Sequence, residues 1–141
     1  MDKTWLNRDL EALEEVEMER PKFMEIEEGY ARFRPEGHVS LQEAVELIGQ
    51  AIAFCYDHNI SKLLVNTTQL TGFLPPTIAD RFFIAHDWAQ KAKSLVIVAM
   101  VVRPEVVDPG KFEVIAAANV GQRAEMFTSE PEALEWLLSQ K

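Results

Sequence analysis

The chain is expected to fold as an α/β domain on a largely parallel sheet that opens with an antiparallel hairpin. Three observations lead there. Strand-like and helix-like stretches alternate along most of the 141 residues. A turn carrying glycine, Glu27-Glu28-Gly29, separates two short β-type segments near the start. The longest apolar run, Leu95 to Val102, is the length of a strand buried on both faces and too short to span a bilayer.

The first twenty residues stand apart from the rest. Asp9 to Glu19 holds six acids and no base. Leu6, Leu10, Leu13 and Val16 recur at helical spacing, so residues 1–20 are expected to form an acidic amphipathic helix. Between Arg8 and Arg20 it carries no base, so ion pairs support it little and it needs a surface to lean on. Packing on its own domain is preferred to a role as an oligomerisation arm. Pro21 ends it, and residues 22–141 form one domain.

Lys22 to Ile26 and Tyr30 to Arg34 are the two arms of the hairpin. Tyr30, Arg32 and Arg34 alternate with Ala31 and Phe33, the pattern of a strand with one buried face. Pro35-Glu36-Gly37 closes the pair. Ser40-Leu41-Gln42-Glu43 is a capping box, and Leu41, Ala44, Val45, Ile48, Ala51, Ile52 and Cys55 carry a helix to about Asp57. Lys62 to Asn66 is a buried strand, and Thr67 to Pro76 is a loop. Thr77 caps a second helix with Asp80 as an imperfect box partner, its inner stripe being Ile78, Phe82, Ala85, Ala89 and Ala92. Ser94 to Val102 is expected at the centre of the sheet. Asp108-Pro109 opens a third helix through Phe112, Ile115, Ala116 and Asn119, ending at Gly121. Glu125 to Phe127 is a short strand. Ser129-Glu130-Pro131-Glu132 is a second capping box, opening a last helix through Ala133, Leu134, Leu137 and Leu138.

Composition narrows the function classes. Fourteen Lys and Arg stand against 23 Asp and Glu, a formal charge of −9. Nonspecific nucleic-acid binding needs a field of cations to displace phosphate counterions, and anionic membrane surfaces need one too. Neither nucleic acid nor membrane is therefore expected as a partner. The single cysteine, Cys55, has no intrachain partner, and the start shows no basic and apolar leader, so a soluble, cytoplasmic protein is expected.

Several stretches resemble a known family. Arg34-Pro35-Glu36-Gly37-His38-Val39-Ser40-Leu41, Leu63-Leu64-Val65-Asn66-Thr67-Thr68 and Thr71-Gly72-Phe73 are similar to the SpoIIAA-like proteins of the STAS superfamily. Val98-Ala99-Met100-Val101-Val102-Arg103-Pro104, Ala117-Ala118-Asn119 and Phe127-Thr128-Ser129-Glu130 extend the likeness over roughly Phe23 to Leu138. The resemblance is to an uncharacterised bacterial branch. It implies a STAS-type sheet flanked by helices, related in shape to the lipid-carrying CRAL-TRIO domains, and a mostly non-enzymatic role. It also implies an anti-sigma-factor kinase as the best understood partner, with a switch by phosphorylation of a serine that follows an aspartate at a helix start. Here that stretch reads Phe73-Leu74-Pro75-Pro76-Thr77, with no Asp-Ser pair, so the switch is not carried over; Thr77 is the nearest hydroxyl.

No catalytic residue and no metal or cofactor site is expected. His86 and Asp87 are adjacent on a helix and do not face each other, so a boundary histidine resting on Phe82 and Phe83 is preferred to a dyad. Cys55 lies on an inner stripe without a neighbouring cation to make a thiolate. His38 and His58 have no ligand spacing. One polar constellation can hold an anion. Asn66, Thr67, Thr68 and Arg103 lie at the carboxyl ends of two strands, and Thr77 and Arg81 at a helix start. Against it, Thr67 and Thr68 can serve their own turn, Thr77 can only cap, and Arg103 can pair with Glu105 or Asp108. The apolar tip Leu70, Phe73, Leu74, Pro75 and Pro76, with Phe83, forms either a loop tucked under itself or a contact surface, and the contact surface is preferred. The expected function is therefore a non-enzymatic regulatory module acting through a protein partner or self-association. The alternative is a carrier of a small apolar or amphipathic ligand, and an enzyme comes last.

Overall fold

Strand alternation decides the architecture. The structure, a computed structural model, describes residues 20–106 and 123–141. β1 (Met24–Glu27) and β2 (Tyr30–Phe33) form the hairpin, with Glu27 opposite Tyr30 so that Glu28 and Gly29 alone make the turn. Gly29 sits at φ +85°, the left-handed conformation that tight hairpin turns require. β2 then pairs in parallel with β4 (Lys62–Asn66), β4 with β6 (Ile97–Val101), and β6 with β7 (Ala124–Phe127). The sheet order is β1-β2-β4-β6-β7. The expected mixed sheet, an antiparallel hairpin followed by parallel strands, is what forms. The run from Leu95 is interior and buried as expected, yet the strand begins only at Ile97 and the middle place belongs to β4. Lys93 and Ser94, both left-handed at φ 48° and 62°, turn the chain there and leave Leu95 exposed.

Two apolar layers follow from the register. Leu63 and Val65 of β4, Val98 of β6, and Ala31 and Phe33 of β2 point to one face. There they meet Ile48, Ala51, Ile52 and Cys55 of α1 (Leu41–Asp57) and Ala92 of α2 (Ile78–Ala92). Leu64, Ile97, Ala99 and Val101 point to the other face and pack under Ala133 and Leu137 of α3 (Glu130–Ser139). α1 starts at the expected capping box: Ser40 Oγ accepts Glu43 N–H at 3.1 Å, and the Glu43 carboxylate accepts Ser40 N–H in return. α2 has a complete box too, between Thr77 and Asp80, because an aspartate reaches as well as a glutamate here. At α3 only half of one forms: Ser129 accepts Glu132 N–H.

Four expectations need correction. Residues 67–76 are not all loop, for β5 (Gln69–Thr71) pairs in parallel with β3 (Glu36–His38) above the ends of β2 and β4. Glu36 and Gly37, expected to close the hairpin, instead begin that strand. Leu70 is 0% exposed, since β5 turns it inward, so it is no part of a contact surface. Ile78 and Phe82 do not lie on the inner stripe of α2, which is Arg81, Ala85, Ala89 and Ala92. The helix is rotated so that small residues face α1. The expected helices at 1–20 and from Asp108 to Gly121 lie outside the described residues.

Candidate functional site

The Thr77 and Asp80 box fixes where α2 begins, and so fixes what its first two turns present. Arg81 is only 7% exposed and donates from Nε to Pro76 O at 3.0 Å, folding the Pro75-Pro76 segment back over the helix start. With Arg81 and Ala85 turned inward, the opposite side of the same turns is apolar and open. Leu74 is 83% exposed, Ile78 71%, Phe82 54% and Phe83 72%. Phe82 and Phe83 stand edge to face, ring centres 6.3 Å apart. Of the expected contact residues, Leu74, Pro75 and Phe83 are on this surface, while Phe73 and Pro76 are half-buried. Large apolar side chains are costly to leave wetted in such a cluster.

Phe73 and Pro76 turn instead toward a cavity of about 100 Å³. Among the described residues its walls include Ala44, Val45, Ile48 and Ile52 of α1, Ile84, Ala85 and Trp88 of α2, Val98 and Met100 of β6, and Ala124 and Met126 of β7. Leu70 lines it beside Phe73, and the cavity is partly open to solvent. Trp88 spans the helix pair, donating from Nε1 to Val45 O at 3.2 Å. No periodicity in the sequence announces this space. The only hint is the alanines facing it.

The residues expected to hold an anion are occupied with their own chain. Asn66 Oδ1 accepts both the N–H and the hydroxyl of Thr68, at 3.0 and 2.6 Å, and Asn66 Nδ2 donates to Glu130 at 3.3 Å. Thr67 Oγ1 donates to Val101 O, binding β4 to β6 beyond their ladder. Thr77 caps α2, and Arg103 pairs with Glu105 at 3.4 Å. His86 is exposed, its Nε2 3.2 Å from Gln90 Nε2. Among the described residues no group of three His, Cys, Asp or Glu side chains could hold a metal ion. Cys55 is fully buried, and burial pushes its thiol up to about 12, so no thiolate forms near neutral pH.

What Asn66 does hold is α3. Glu130, the first residue of that helix, receives Arg34 in a forked pair, Nε to Oε1 at 2.9 Å and Nη2 to Oε2, as well as the Asn66 amide. The hydrogen bond from Arg34 is the main reason the Glu130 carboxyl lies below its ordinary 4.5, with Asn66 assisting against desolvation. A folded value below the unfolded one stabilises above the unfolded value and is lost as pH falls through the folded value. Because the Arg34 side chain is half exposed, the contribution is under about 1 kcal/mol. Urea midpoints at about pH 7 and about pH 3 should thus differ less for Glu130→Gln than for the wild type. Equal differences would mean the pair adds nothing.

No helix among the described residues is long and apolar enough to cross a membrane. Comparisons with protein-family models, with curated proteins and with solved structures find no match to the chain.

Proposed function

We propose that the chain is a non-catalytic binding domain that joins a protein surface through the start of α2, and that this surface is a second copy of itself. One observation carries the reading: Ile78, Phe82 and Phe83 are exposed apolar side chains on the first two turns of a helix with a complete capping box, and Leu74 is exposed in the segment leading into it. Such a face is self-complementary, because two copies related by a two-fold axis bury the same side chains against one another. It needs no opposite charge, which matters for a chain of net charge −9. Salt near physiological strength screens that repulsion beyond about 8 Å. The likeness to SpoIIAA-like proteins belongs to the same proposal, supported by the motifs quoted above and by a sheet of the kind the likeness implies.

Sedimentation velocity tests it. The wild type should run at twice its 16.0 kDa mass, and the double variant Phe82→Asp, Phe83→Asp at once that mass. Both sites are exposed, so the variant should keep its fold, which far-UV circular dichroism checks. A wild type that stays monomeric at high concentration, or a variant that still associates, rejects the reading.

A further inference from the structure

We propose that the cavity between α1, α2 and the β6–β7 side of the sheet is a binding site for a compact, uncharged apolar molecule about the size of one aromatic ring. The inference is independent of the protein contact proposed above.

Size comes first. The space measures about 100 Å³, where a single water needs only about 10–15 Å³. Packed interiors hold few voids larger than a water, so this one is more than a packing flaw. It is also well below the roughly 300–1,000 Å³ of pockets that take drug-sized ligands, which disfavours a long acyl chain. An engineered apolar cavity of about 150 Å³ stays dry and accepts benzene, the nearest comparison in scale and lining.

Chemistry comes second. Among the described residues the walls are aliphatic and aromatic apart from Thr67 and Glu125, and the hydroxyl of Thr67 is already given to Val101 O. Glu125, the one charged side chain among the described lining residues, is an acid and accepts Met126 N–H at 3.1 Å. No Lys or Arg stands among those lining residues to meet an anionic head. Among the described lining residues, nothing would offer a counter-charge to a carboxylate or phosphate that had lost its water.

Preorganisation comes third. Trp88 is pinned to α1 through Val45 O, and the Lys91 stem rests against Gly49, so the spacing of the two helices is held from both sides. Ala44 and Ala85 leave the room that larger side chains would fill.

The test uses benzene, toluene and decanoate on the full chain, reading the melting temperature against ligand concentration. The two rings should raise it progressively, with the logarithm of concentration once above the dissociation constant, as any ligand that binds only the folded state must, and decanoate should not. Ala85→Leu, which fills the space from α2, should melt no lower than the wild type and lose the ring-dependent rise. Ala44→Leu repeats the test from α1 in case the first variant is overpacked. Absence of a concentration-dependent rise with either ring overturns the site. So does a rise that survives in both folded variants. A decanoate-dependent rise lost in the variants would keep the location and overturn the ligand class.

Discussion

Leu137→Ala is expected to lower the unfolding free energy by about 2–5 kcal/mol, the range for deleting a fully enclosed leucine. Leu137 is completely buried at the heart of the second layer, against Leu64, Ile97, Ala99 and Val101, with Ala133 beside it on α3. That layer is thin. Ala133 is already small, and Leu138 one position on points to solvent. Trp136 lies on the same helix and packs on Phe127, ring centres 5.8 Å apart, so it should become wetter as α3 loosens. Urea unfolding followed by tryptophan emission measures both consequences. A loss below about 1 kcal/mol would show that α3 is anchored mainly by its polar contacts to Arg34 and Asn66 instead.

Among the described glycines, Gly72→Ala should be the costliest replacement. Gly72 has φ +103°, and a Cβ there would lie 2.6 Å from Val39 O, a backbone atom that cannot step aside. Val39 N–H meanwhile donates to Thr71 O at 2.8 Å, so this approach is what keeps β5 beside β3. Strained backbone alone costs on the order of 1–3 kcal/mol, and the clash adds to it. Two other glycines calibrate the result. Gly29 also has positive φ but open space around it, so Gly29→Ala should lose only about 1–2 kcal/mol of conformational energy. Gly49 lies inside α1 against the flexible Lys91 stem, so Gly49→Ala should be near neutral, the helix propensity of alanine offsetting the displaced stem. Thermal melts of the three variants should rank Gly72 lowest and Gly49 highest. If Gly72→Ala melts no lower than Gly29→Ala, the loop is not held in the way described.

The framework was legible in the sequence wherever a local pattern and the long-range packing ask for the same thing. Ser40 with Glu43 and Thr77 with Asp80 mark helix starts through bonds that reach only three residues. Lys62 to Asn66 and the end of the 95–102 run are apolar on both sides because both faces are covered. The site was harder to see for definite reasons. Arg81 carries a charge, so a stripe containing it looked less apolar than the one through Ile78 and Phe82. Its stem is nevertheless buried, and its Nε is satisfied by Pro76 O. β3 and β5 are three residues each, too short for alternation to register, and they decide that Leu70 goes in and Leu74 stays out. The cavity depends on alanines, which mark no period of their own.

The position of β1 at the margin of the sheet has a consequence for how copies can add. A bare outer strand is a template for endless stacking, and charged side chains are the usual guard. β1 is four residues long and carries Glu25 and Glu27, with Lys22 and Pro21 just ahead of it. Successive molecules therefore gain little from lining up strand against strand. Growth into filaments is discouraged, which accords with the pairing proposed at the start of α2, a surface used up once two copies have met.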